Sequence, residues 1–85
     1  MTVLPASVLV VDDNEMNRDM LTRRLTRDGY RIDVAENGRR ALEKIALASY
    51  DLVLLDIMMA ELDGYHVLKQ MKASPALRHI PVIML

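Results

Sequence analysis

Short apolar runs alternate along the chain with stretches in which apolar residues recur every three or four positions. "SVLVV" at 7–11 is continuous and bounded by Pro5 and by Asp12-Asp13, the pattern of a strand buried on both faces of a parallel sheet. From 14 to 28, Met16, Met20, Leu21 and Leu25 fall on one stripe, and Gly29 stands where a helix end takes a left-handed residue, so an amphipathic helix with its stop signal is predicted. Residues 30–35 alternate as a strand does, and Asn37-Gly38 then supplies a turn and an N-cap for a helix over 39–49, with Ala41, Leu42, Ile45 and Ala46 facing inward. The run at 50–55 is the third strand and the most apolar. A short helix over 65–74 follows, with Val67, Leu68 and Met71 inward and Pro75 at its end, then a fourth strand over 79–85 whose Pro81 sits near the start, where a missing backbone donor is tolerable. Strand and helix alternating in this way predict an α/β fold with a parallel sheet and right-handed crossovers.

Composition narrows the class. The chain has 85 residues, room for one domain, with 52% hydrophobic and 27% charged residues, the balance of a globular protein. A formal charge of −1 without a block of like charges gives no electrostatic argument for nucleic acid or a membrane surface. Arg23, Arg24, Arg27 and Arg31 are spaced to ride the solvated face of a helix. Cysteine is absent, which removes disulfides and thiolate metal sites. The first residues lack a basic segment, and their apolar run is too short for a signal or a span, so a cytoplasmic protein is expected. No glycine-rich phosphate loop is present.

The chemistry lies in three aspartates. Asp12 and Asp13 end the first strand and Asp56 ends the third. In an open parallel sheet the carboxyl ends of the strands share one edge, and ligands bind where the strand order reverses. If the order is 2-1-3-4, the three carboxylates meet there. A lone aspartate after a strand is ordinary as an N-cap or turn residue, but a doublet joined by a third carboxylate is not. Such a cluster is unfavourable unless a cation or protons neutralise it. Carboxylate oxygens, with no thiolate and no histidine in those loops, favour Mg2+. His66 and His79 are expected at the surface, and Gly64 is expected to permit tight backbone geometry before the third helix.

The segments "VLVVDDNEMNRDML", "VAENGRRALE", "YDLVLLDIMMAELDGYHVLKQMK" and "IPVIML" resemble the receiver domain of two-component response regulators over essentially the whole chain. The resemblance implies a flavodoxin-like sheet of order 2-1-3-4 with helices on both faces, residues 1–85 forming the receiver's N-terminal portion through strand four, the fifth strand missing. It implies that Asp56 is the phosphoacceptor, taking a phosphoryl group from a sensor histidine kinase or phosphotransfer protein. Asp13 would bind Mg2+ directly, Asp12 through water or as a second ligand, with Asp56 and the backbone carbonyl of Met58 completing the set. The implied product is a bacterial cytoplasmic switch that acts on an output domain or effector protein. The segment itself is then not an enzyme, and it binds neither nucleic acid nor membrane.

Two departures stand out. Ala60 occupies a position where family members usually have proline. The hydroxyl residue and lysine of the family pattern fall beyond Leu85, and Lys69 and Lys72 in the third helix do not replace them. A chain ending at Leu85 would leave the fourth strand as an exposed apolar edge, with a homodimer or instability as the expected result; a fragment of a longer chain is the preferred expectation. The alternative function is a receiver-like interaction or dimerisation scaffold that works without phosphorylation.

Overall fold

The computed structural model describes residues 5–56, 59 and 64–85. The elements run β1 (Ser7–Val11), α1 (Glu15–Arg27), β2 (Arg31–Ala35), α2 (Gly38–Leu47), β3 (Leu52–Leu55), α3 (Gly64–Ala73) and β4 (Val82–Met84). All neighbouring strands are parallel, in the order β2-β1-β3-β4. The expected sheet order is therefore the observed one.

That order fixes where the helices lie. The step from β1 to β2 runs one way across the sheet, and those from β2 to β3 and from β3 to β4 run the other way. Right-handed crossovers then put α1 on one face and α2 with α3 on the opposite face. The packing agrees: Leu9, Val11, Ala35, Val53 and Leu55 join Ala41 and Ile45 of α2 and Val67 and Met71 of α3 in one buried cluster. Alternation along β1 sends Val8 and Val10 to the α1 side, and the strand is buried on both faces, as its unbroken apolar run predicts.

The helix ends follow local chemistry. Asn14 caps α1 by accepting from the Asn17 N–H at 3.0 Å, and Asn37 caps α2 by accepting from the Arg40 N–H at 2.8 Å. At the far end of α1, Gly29 takes a φ of +97°. Its N–H donates to Thr26 and the Tyr30 N–H donates to Leu25, both at 3.1 Å, the paired closure that satisfies the last carbonyls of a helix.

Three expectations are corrected. The stripe of α1 is not buried: Met16 is 81% and Met20 60% exposed, and only Leu21 and Leu25 are half-covered. The cause is that α1 packs chiefly on β2 and β1, and no other element among the described residues covers its outer flank. For the same reason β3, the most apolar strand, is buried on one face only; Leu52 and Leu54, on the α1 side, are half-covered. Ala46 is exposed, because the stripe of α2 narrows to Ala41 and Ile45 with Leu42 at its margin. The fourth strand shrinks to Val82–Met84, since Ser74–His79 form turns and Pro81 has no donor for the ladder.

Candidate functional site

β1 and β3 pair with Val11 opposite Leu55, so the residues one step beyond each strand emerge side by side. The Asp56 N–H donates to the Val11 carbonyl at 2.9 Å, and the Asp12 N–H donates to the Ala35 carbonyl at 3.1 Å. The backbone ladder thus extends one residue beyond each strand and fixes both aspartates. Asp12, Asp13 and Asp56 each bring a carboxylate oxygen to one corner, all within 4.8 Å of one another. The corner sits where the order reverses between β1's two neighbours, as the sheet rule requires.

The three differ in setting. Asp12 is 4% exposed, Asp56 half-buried and Asp13 exposed. Asp12 is tied on three sides: its N–H to Ala35, one carboxylate oxygen accepting from the Asn14 N–H at 2.9 Å, and its carbonyl accepting from Arg18 Nη1 at 2.8 Å. A buried carboxylate is tolerable only with such partners. The same turn that engages Asn14 through its backbone also makes Asn14 the cap of α1, which couples the corner to the start of the helix.

Among the described residues, the expected carboxylates all converge. Met58 and Ala60 lie outside the described residues; Met59 is buried in the core, and Gly64, also buried, opens α3. His66 and His79 are exposed, as expected. Lys69 and Lys72 are exposed, and Lys72 Nζ donates to the Arg78 carbonyl at 3.2 Å. Arg23, Arg24, Arg27 and Arg31 are exposed, with Arg23 paired to Asp19 at 3.2 Å. No helix among the described residues is long and apolar enough to cross a membrane.

Two features carried no sequence signal. The Arg18 contact is one; its spacing from Asp12 becomes meaningful only once α1 is folded back on the strand end. The second is a polar cluster under α2. Asp33 accepts from Lys44 Nζ at 2.8 Å and from the Tyr50 hydroxyl at 2.7 Å, while Lys44 also donates to the Val34 carbonyl. Burial pushes the Asp33 carboxyl up, but the hydrogen bonds from Lys44, Tyr50 and the Val34 N–H, with the charge of Lys44, together hold it below its ordinary value. Burial, then the bond to Asp33 and its charge, push the Tyr50 phenol up to about 12.

The family model for the response regulator receiver domain matches residues 8–85. The chain is 40% identical over 82 residues to the response regulator PleD of Caulobacter vibrioides, covering 96% of this chain and 18% of that protein. The chain therefore spans less than a fifth of that relative's length. Among solved structures, the N-terminal domain of a response regulator receiver protein from Methanoculleus marisnigri JR1 superposes with a TM-score of 0.90 at 46% identity, covering 93% of this chain and 64% of that one. The response regulator TrrA of Thermotoga maritima, solved in complex with Mg2+-BeF, gives 0.80 at 41% identity over 84% of this chain and 62% of its own. A family model matched over nearly the whole chain, together with a relative and solved structures at 40% identity or more, leads to one conclusion: this chain belongs to the family of response regulator receiver domains.

Proposed function

We propose that the acidic corner is a phosphoacceptor site, with Asp56 as nucleophile and Asp12 and Asp13 as the principal holders of a divalent cation. The supporting observation is the meeting of three carboxylate oxygens within 4.8 Å on the ends of two paired strands. Hard oxygen donors without nitrogen or sulfur fit Mg2+, and TrrA carries that ion in its complex with BeF. The Met58 backbone carbonyl belongs to the proposed ligand set. When bound, the cation supplies positive charge that offsets the charge of the transferring phosphoryl group.

The chain's own residues do the rest. Asp56, fixed by its N–H on the Val11 carbonyl, offers a carboxylate oxygen as the nucleophile toward phosphorus. That oxygen forms the new P–O bond while the P–N bond of a phosphohistidine breaks, and the leaving imidazole takes up a proton. Asp12 and Asp13 bind and orient the cation. The donor is a sensor histidine kinase or phosphotransfer protein, and the reader is an output domain or effector protein. Residues 1–85 form the N-terminal portion of a receiver domain, through strand four, in a cytoplasmic protein; this segment binds neither nucleic acid nor membrane and is not itself an enzyme.

The test is intact mass before and after incubation with Mg2+ and acetyl phosphate. A phosphoryl adduct is expected, absent in Asp56→Asn and without Mg2+. An adduct of equal yield in Asp56→Asn would assign the acceptor elsewhere.

A further inference from the structure

Arg18 is set apart from the other arginines. Each of the others is exposed, whereas Arg18 is half-buried and aims Nη1 at the Asp12 carbonyl, 2.8 Å away. An arginine on a helix ordinarily stretches into water and keeps its rotamer entropy. This one folds back from α1 to the end of β1 and spends a charged donor on a backbone oxygen. The oxygen is not an arbitrary one. It belongs to the peptide that joins Asp12 to Asp13, and because a peptide is planar, holding its C=O also holds the Asp13 N–H and the plane from which Asp13 departs.

The upstream side of Asp12 is already fixed by its N–H on Ala35 and its side chain by the Asn14 N–H. Only the downstream peptide remains, and Arg18 closes it. We propose that Arg18 is a positioning residue for the carboxylate pair, clamping the Asp12–Asp13 peptide so that Asp13, exposed and without burial to orient it, presents its carboxylate toward Asp12 and Asp56. This rests on the reading of the corner as a cation site. Groups just outside a metal's ligands orient those ligands, and their loss commonly weakens binding. The guanidinium also carries positive charge near the corner, so charge alone predicts the opposite sign: removing it would tighten a cation. The two roles are therefore separable by experiment.

The experiment is Mg2+ titration of the whole chain, followed by calorimetry and by the backbone amide shifts of Asp13 and Asp56, together with the rate of adduct formation from acetyl phosphate across Mg2+ concentrations. Arg18→Met is expected to raise the Kd for Mg2+ about tenfold, with the rate restored at saturating Mg2+. Arg18→Lys, which keeps a donor but loses the fork, is expected to fall between the two. Arg23→Met removes a charge from the same helix without touching the corner and is expected to match the unaltered protein. A Kd for Arg18→Met equal to or tighter than that of the unaltered protein overturns the proposal. Should Arg18→Met not fold, Arg18→Gln, too short to reach the carbonyl, carries the same expectation and the same refutation. Asp13→Asn separates the two levels: if it binds Mg2+ undiminished, the reading of the corner fails whatever Arg18 does.

Discussion

Tyr50 is an aromatic side chain whose hydroxyl would be costly to bury alone, and Asp33 is the acceptor that makes its position tolerable. Tyr50→Phe is expected to cost about 1 kcal/mol, the net worth of one hydrogen bond, because the Asp33 side chain remains nearly half-exposed and partly solvated. Its pH signature has a definite sign. The Asp33 carboxyl is lowered by folding, so its contribution is complete above its ordinary value of 3.8 and is lost as pH falls through the folded value. The Tyr50 phenol is raised from 10.0, so its contribution is complete below pH 10.0 and is lost as pH rises toward about 12. Urea midpoints taken across pH should therefore decline at both ends, and Tyr50→Phe should abolish this residue's share of the alkaline decline. The three corner aspartates were legible because each follows an apolar run that ends abruptly. Asp33, Lys44 and Tyr50 were not, since a hydrogen-bonded cluster joining β2, α2 and the loop before β3 has no period in the sequence.

The elements were readable to the extent that their signals were local. Gly29 announced the end of α1, and its φ of +97° bears this out. A methyl group there would meet nothing within 4 Å, so Gly29→Ala is expected to destabilise by about 1 kcal/mol through backbone conformation alone, with an unchanged dependence on denaturant concentration. Met71→Ala should cost about 2–5 kcal/mol, because its side chain is fully buried in the α2–α3 cluster. Met20→Lys, on a residue of the same type at 60% exposure, should change stability by no more than about 0.5 kcal/mol. Equilibrium unfolding of the three variants measures all of these. Periodicity placed Met20 and Met71 in equivalent roles, and only the presence or absence of a neighbouring element separates them. The boundaries of β4 were hidden for a related reason: "HIPVIML" is apolar from Ile80 onward, and the turn that trims it is set by the Leu77 and Arg78 N–H groups donating to the Ser74 carbonyl.

At the scale of the molecule the sheet has unlike edges. β2 is guarded by Arg31 and Asp33, whereas β4 carries only Val82, Ile83 and Met84, with Ile83 51% and Leu85 50% exposed. An uncharged apolar edge is a template for pairing. A polypeptide of these 85 residues is expected to self-associate with rising concentration in sedimentation velocity, and Ile83→Lys to suppress this while leaving the acidic corner intact. The strand order was readable only as a condition attached to convergence of the carboxylates; nothing local in β1 or β3 specifies that they lie side by side. A further consequence follows from the wholly parallel ladders. Val8 meets Leu52 and Val53 meets Val82, so no pair of strands is joined by a hairpin and each pairing must first close a long loop. The acidic corner consequently has no local precursor: Asp12 and Asp56 become neighbours only when the central ladder zips up. A cation that needs both would bind only after that pairing has formed, and above its Kd would stabilise the native state in proportion to the logarithm of its concentration.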